Sequence, residues 1–130
     1  MSNRYYMIYK HVNGSWSVIK ERDIDSISDA ILSPFTVEVW IREVNMCEKI
    51  ENLLKSIDVK LMIKCEEPEE IDENLCRGLY EEHEKLVKDL IKCEEETKLN
   101  VKDLSIKIIN AKSEDELKNM LEKHGFRRVK

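Results

Sequence analysis

Apolar and polar residues alternate with period two in some stretches of this chain and recur with helical spacing in others, and the order of those stretches predicts its elements. Residues 4–12 and 15–22 flank Asn13 and Gly14, a pair suited to a two-residue hairpin turn in which both positions take positive φ. Such a turn sets Ile8 against Ile19. The opposite face then gathers Tyr5 with Arg22, Met7 with Lys20, Tyr9 with Val18 and His11 with Trp16. Ser26 followed by Asp29 predicts the cap of a short helix with Ile24, Ile27 and Ile31 on one side, stopped by Pro34.

Phe35, Val37, Val39 and Ile41 alternate with Thr36, Glu38, Trp40 and Arg42, the signature of a strand with one buried face. Asn45 and Glu48 predict a helix start, with Met46, Cys47, Ile50, Leu53, Leu54 and Ile57 as its inward stripe. Val59, Leu61 and Ile63 then alternate with Lys60, Met62 and Lys64, so a second strand is expected. Connections this short favour a right-handed βαβ crossover. Near the C-terminus Leu104, Ile106 and Ile108 predict another strand. Ser113 and Glu116 form a capping box for a helix carrying Leu117, Met120 and Leu121. Gly125 is placed as a left-handed cap, and Phe126 can fold back onto the last turn. Residues 127–130 are expected to add a short edge strand.

Residues 35–65 and 102–130 line up at a constant offset of 67. Val37, Val39 and Ile41 fall on Leu104, Ile106 and Ile108, and Ile50, Asn52, Leu53 and Leu54 fall on Leu117, Asn119, Met120 and Leu121. The alignment marks either an internal pseudo-repeat of two βαβ-like units or a coincidence of apolar period, within a single domain spanning residues 1–130. The fold class is α+β (or α/β), with an N-terminal hairpin and two such units in a mixed sheet.

Between the two units lies one long amphipathic helix, about residues 72–98, capped by Asp72 and weakened by Gly78. At about 1.5 Å per residue it reaches roughly 40 Å, against a diameter near 36 Å for a domain of this size. It must cross a whole face or project to pair. Cys76, Leu79, His83, Leu86, Leu90 and Cys93 occupy heptad a and d positions, with Tyr80 and Val87 widening the stripe. A homodimer through this helix is the expectation, with Leu79, His83, Leu86 and Leu90 as partner-binding residues.

Charge sharpens the picture of that helix. Residues 66–97 hold thirteen acidic and four basic side chains, a net of −9, while residues 98–130 carry a net of +4. An acidic face beside a basic end suits a basic partner or a pairing within the assembly. The whole chain has a net charge of −5 and is 38% charged, with three Gly and two Pro, a composition of helix-rich, short-looped proteins that resembles those of hyperthermophiles and their viruses. No apolar run approaches the roughly 20 residues of a bilayer span, and no signal-peptide pattern opens the chain. No membrane association and a cytoplasmic location are expected, in the host if the protein is viral.

Cys47, Cys65, Cys76 and Cys93 include no CxxC pair, which excludes a zinc ribbon or thioredoxin-like site. In a cytosolic protein they are expected to be free, mostly buried thiols, with one structural disulfide as the alternative. His11, His83 and His124 have no neighbouring nucleophile, and isolated glycines exclude P-loop and dinucleotide-binding loops. No catalytic residue, metal site or cofactor is assigned. Glu38, Glu43 and Lys60 are the one trio that a small metal-dependent nuclease or hydrolase could use.

The expected role is therefore binding without catalysis, to a protein partner met by the long acidic helix, as in a viral or mobile-element regulator that captures a host protein. The alternative is nucleic-acid binding. Tyr5, Tyr9 and Trp16 would supply stacking surfaces, and Lys20, Arg22, Arg127 and Arg128 the cations, on the hairpin face and basic C-terminus.

Overall fold

The computed structural model describes residues 4–130, and the chain has an α+β fold. It divides into two compact units. One takes in the chain up to Asn45 together with Leu99–Lys130; the other is Met46–Lys98.

The first unit is built on four antiparallel strands, β1 (Tyr5–His11), β2 (Lys20–Arg22), β3 (Thr36–Glu43) and β4 (Arg127–Arg128), in the order β2-β1-β3-β4. Strand β3 runs against β1 from Tyr5 opposite Glu43 to Lys10 opposite Glu38, with a slip before His11. Both faces of this sheet are covered. Met7, Val39 and Ile41 pack with Ile27 of α1 (Ile24–Leu32) on one side. On the other side Ile8, Ile19 and Trp40 pack with residues of two C-terminal helices, Leu104 and Ile108 among them, and with Phe126. The expectation of one buried face on β3 is thus corrected: Thr36 and every residue from Glu38 to Arg42 is buried. A central strand under helices on both sides needs no polar face, and Trp40 reads as apolar once it has somewhere to pack.

The hairpin is also tighter in extent than its turn residues implied. Only Gly14 takes positive φ, at 92°, so the mirror-image turn required of Asn13 is not made. Instead the Gly14 amide donates to the His11 carbonyl at 2.8 Å and the Ser15 amide donates to Asn13 Oδ1 at 2.9 Å. The expected pairs Tyr5 with Arg22 and Met7 with Lys20 are present. Beyond them the ladder slips, and Trp16 bridges Lys10 rather than His11.

Helix α1 starts at Ile24, earlier than Ser26 suggested, because Asp23 is the cap. Its carboxylate accepts the Ser26 amide at 2.9 Å, and this contact with Ser26 holds the Asp23 carboxyl below its ordinary range. The C-terminal helix start is where the pattern put it: Ser113 Oγ accepts the Glu116 amide, and Glu116 Oε2 accepts the Lys112 amide at 2.8 Å. At its other end Gly125 has φ 82°, the Phe126 amide donates to the Leu121 carbonyl and the Gly125 amide to that of Glu122. Together these close a Schellman cap that buries Phe126.

Two expected strands are helical. Residues 104–108 belong to α4 (Val101–Ile109), which precedes α5 (Glu114–Lys123), and residues 59–63 continue α2 (Glu48–Leu61) into a π turn, Met62–Glu66. The alternation in each case coincides with a helical i, i+4 pair. Leu104 and Ile108 are buried while Ile106 is exposed, and Leu61 and Ile57 are buried while Val59 and Ile63 are exposed. Asn100, whose side chain accepts the Asp103 amide at 3.1 Å, supplied the missing helix start for α4. The pseudo-repeat of βαβ units therefore dissolves: one copy is strand and helix, the other two helices and a two-residue strand.

The second unit is a helical hairpin. Helix α2 is followed after the π turn by α3 (Glu73–Thr97), whose cap is Asp72, accepting from the Asn74 and Leu75 amides at 3.1 Å each. Ile57, Leu61, Cys65 and Cys76 form its core, with Leu79 and Leu86 against it. Cys47 is disulfide-bonded to Cys93 and Cys65 to Cys76, which corrects the expectation of free thiols. The cause is the antiparallel pairing: each bond joins residues nearly equidistant from the turn, one bond at each end of the hairpin. The π turn helps, because its wider Glu67 N to Met62 O bond at 3.2 Å delays the helical phase and keeps Cys65 in line with Ile57 and Leu61.

Candidate functional site

Helix α3 presents the expected partner-binding residues unequally. Leu79, His83, Leu86 and Leu90 are all half-buried, so none stands free as a seam. Leu79 and Leu86 pack against the hairpin core, and His83 Nε2 lies 3.0 Å from Asp58 Oδ1 of α2. Part of the heptad stripe read as a dimer seam is thus covered by α2 of the same chain. The alternation of residues 59–63 hides this cover, because it reads as a strand where the chain continues α2 as the antiparallel neighbour of α3.

What the hairpin leaves outside is a second stripe. Tyr80 and Ile91 are about half exposed, at 49% and 52%, and half-buried Val87 lies between them on the same side of α3. Glu73, Glu84, Glu94 and Glu95 are exposed on that same flank by helical spacing, with Arg77 beside Tyr80 as a basic residue among them. Glu84 of this flank is paired with Lys88 at 3.3 Å, and Lys92 is paired with Glu96 at 3.8 Å, which leaves the net charge of α3 negative. The geometry can hold an apolar partner surface between acidic margins.

The aromatic platform of the alternative is not assembled. Tyr5 and Tyr9 pack on the α1 side of the sheet, whereas Trp16 packs on the opposite side with Ile8 and Trp40. The slip at Lys10 is the reason, since one residue of register moves a side chain to the other face. Lys20 and Arg22 lie on edge strand β2, and Arg127 and Arg128 on β4 at the other edge. Arg128 is already engaged, with Nη1 3.5 Å from Glu38 Oε1 and Nε donating to the Lys130 carbonyl at 2.7 Å.

The trio Glu38, Glu43 and Lys60 does not make a common site in the first unit, because Lys60 belongs to the second. Glu38 is buried and fixed, accepting the Trp40 indole N–H at 2.9 Å with Lys118 Nζ at 3.5 Å. Cys76 and Cys93 are both in disulfides and have no thiolate to offer a metal. His124, at the end of α5, is pushed below its ordinary pKa by burial first and then by the positive charges of Arg42, Lys107 and Lys123. It is the C-terminal cap of a core helix. Among the described residues no helix is long and apolar enough to cross a membrane. Compared with known proteins, the chain is matched by no family model, no curated protein and no solved structure.

Proposed function

We propose that the protein acts without catalysis, as a binding module for another protein, and that the outer flank of α3 is its contact surface. One observation carries this. The second unit buries few large apolar side chains, yet it leaves Leu53, Ile63, Leu75, Tyr80 and Ile91 close to half exposed or more. A helix that keeps Tyr80, Val87 and Ile91 on one flank, between carboxylates, suits a basic amphipathic helix laid alongside it. Tyrosine is also a residue type that supplies binding energy at a modest entropic cost.

A second copy of this chain is the poorer occupant. Its matching flank is equally acidic, and two such surfaces repel.

The test is titration of the oxidised protein with a synthetic lysine–leucine amphipathic helix, followed by amide chemical shifts. Saturable binding that maps to Tyr80–Glu95 and weakens at least about tenfold in Tyr80→Ala/Ile91→Ala supports the proposal. Equal binding by the variant reduces the contact to bulk charge and overturns it, as does concentration-dependent dimerisation through the same residues without the peptide.

A further inference from the structure

A cavity of about 430 Å³ lies inside the first unit, between the β1–β2 connection and the junction of α4 with α5. Ligand pockets run from about 300 to 1,000 Å³, so the space suits a small molecule. It exists because β2 is short. Ser17 Oγ accepts the Tyr9 amide at 3.0 Å, where a regular ladder would place a carbonyl. Trp16 is carried onto the Ile8 face and becomes a wall.

The floor is apolar: Ile8, Ile19, Ile108 and Leu117 are all buried and all line the space. The polar lining gathers at Ser105, Lys112, Ser113 and Glu114. The backbone at Lys112 and the carboxylate of Glu114 are held in place. The Lys112 amide is held by Glu116, and the Glu114 carboxylate is ion-paired with Lys10 of β1, tying the sheet to α5 at the rim. That pairing with Lys10, reinforced by Lys118 and the Trp16 indole, holds the Glu114 carboxyl below its ordinary range. The acid at the rim is therefore matched, and Lys112 is the lining charge that remains to recognise a ligand.

We infer that this cavity binds a small anionic amphiphile, with an alkyl body on Ile8, Ile19, Ile108 and Leu117 and a carboxylate-like head at Lys112 and the Ser105 and Ser113 hydroxyls. The site belongs wholly to the first unit and is independent of the α3 surface. Sequence gave no hint of it, because its lining comes from segments about ninety positions apart in the chain and only the register slip opens it.

Decanoate, decylammonium and decanol are the probes, each titrated into the full chain with amide shifts as the readout. Decanoate is expected to saturate, with shifts confined to Trp16–Ile19 and Ser105–Glu114. Lys112→Ala should weaken it about tenfold. Ser105→Trp, and separately Val18→Trp from the exposed side, should fill the space and abolish binding while the amides of Val39 and Leu121 keep their positions. The inference is overturned if decanoate does not saturate, if decylammonium binds as tightly, or if the filled variant that folds still binds.

Discussion

Among the described residues, twelve apolar side chains are buried in the first unit, divided between two faces of a sheet, whereas the second buries five, and three of those five are half-cystines. A two-layered core can hold itself together by burial alone. A hairpin of two helices has a single seam, and where that seam is thin, covalent closure of the chain supplies what burial does not. The difference explains why all four cysteines fall between Met46 and Lys98 and none in the sheet unit.

Reduction should break the comparison open most strongly. Closing a loop the length of Cys47–Cys93 is worth about 4 kcal/mol, and the shorter Cys65–Cys76 loop about 3 kcal/mol. With a dithiol reductant, hydrogen exchange should show α2 and α3 losing protection while Val39, Ile41 and Leu121 keep theirs. Equal loss in both units would mean that they unfold as one. Leu121→Ala, at a fully buried position, should do the converse and cost the first unit about 3 kcal/mol in urea unfolding, with the hairpin's protection untouched.

Gly78→Ala is expected to stabilise the hairpin by up to about 1 kcal/mol, since a Cβ there meets nothing within 4 Å and φ is helical. A raised melting temperature of the reduced protein's α3 would show it best, where disulfides no longer mask the helix. The smallest effect concerns His124. Its pKa is lowered on folding, so the unfolded chain takes up a proton first as pH falls through 6.5, and the first unit loses stability on acidification below that value. His124→Gln should flatten the urea midpoint between pH 7 and the lowered folded pKa. An unchanged slope would assign the acid sensitivity to carboxylates such as Asp23 and Glu114, whose lowered pKa values act at more acidic pH.

Much of the local structure was legible in the chain. The start of α3 at Asp72, the capping box of α5, the Gly125 turn and the pairs Tyr5–Arg22 and Met7–Lys20 all depend on neighbours in sequence or on a nearby turn. The misassigned strands at 59–63 and 104–108 fail for one reason. In a short apolar run, alternation and i, i+4 spacing share residues, so Leu61 or Leu104 satisfies either, and only the packing partner chooses. Of the surface residues, the Leu79–Leu90 stripe was visible as an apolar helix face but not as one already half covered.

By itself the sequence determined the element boundaries that caps and turns encode, the acidic character of α3 and the α+β class. Tertiary structure alone decided that the strands are all antiparallel, that α2 lies on the seam of α3, that the cysteines pair, and that Trp16 leaves Tyr5 and Tyr9 to line a cavity. Capping and turn preferences are set by hydrogen bonds reaching a few residues along the chain. Which apolar faces meet is settled by burial between distant segments, and a single residue of register is enough to exchange one face for the other.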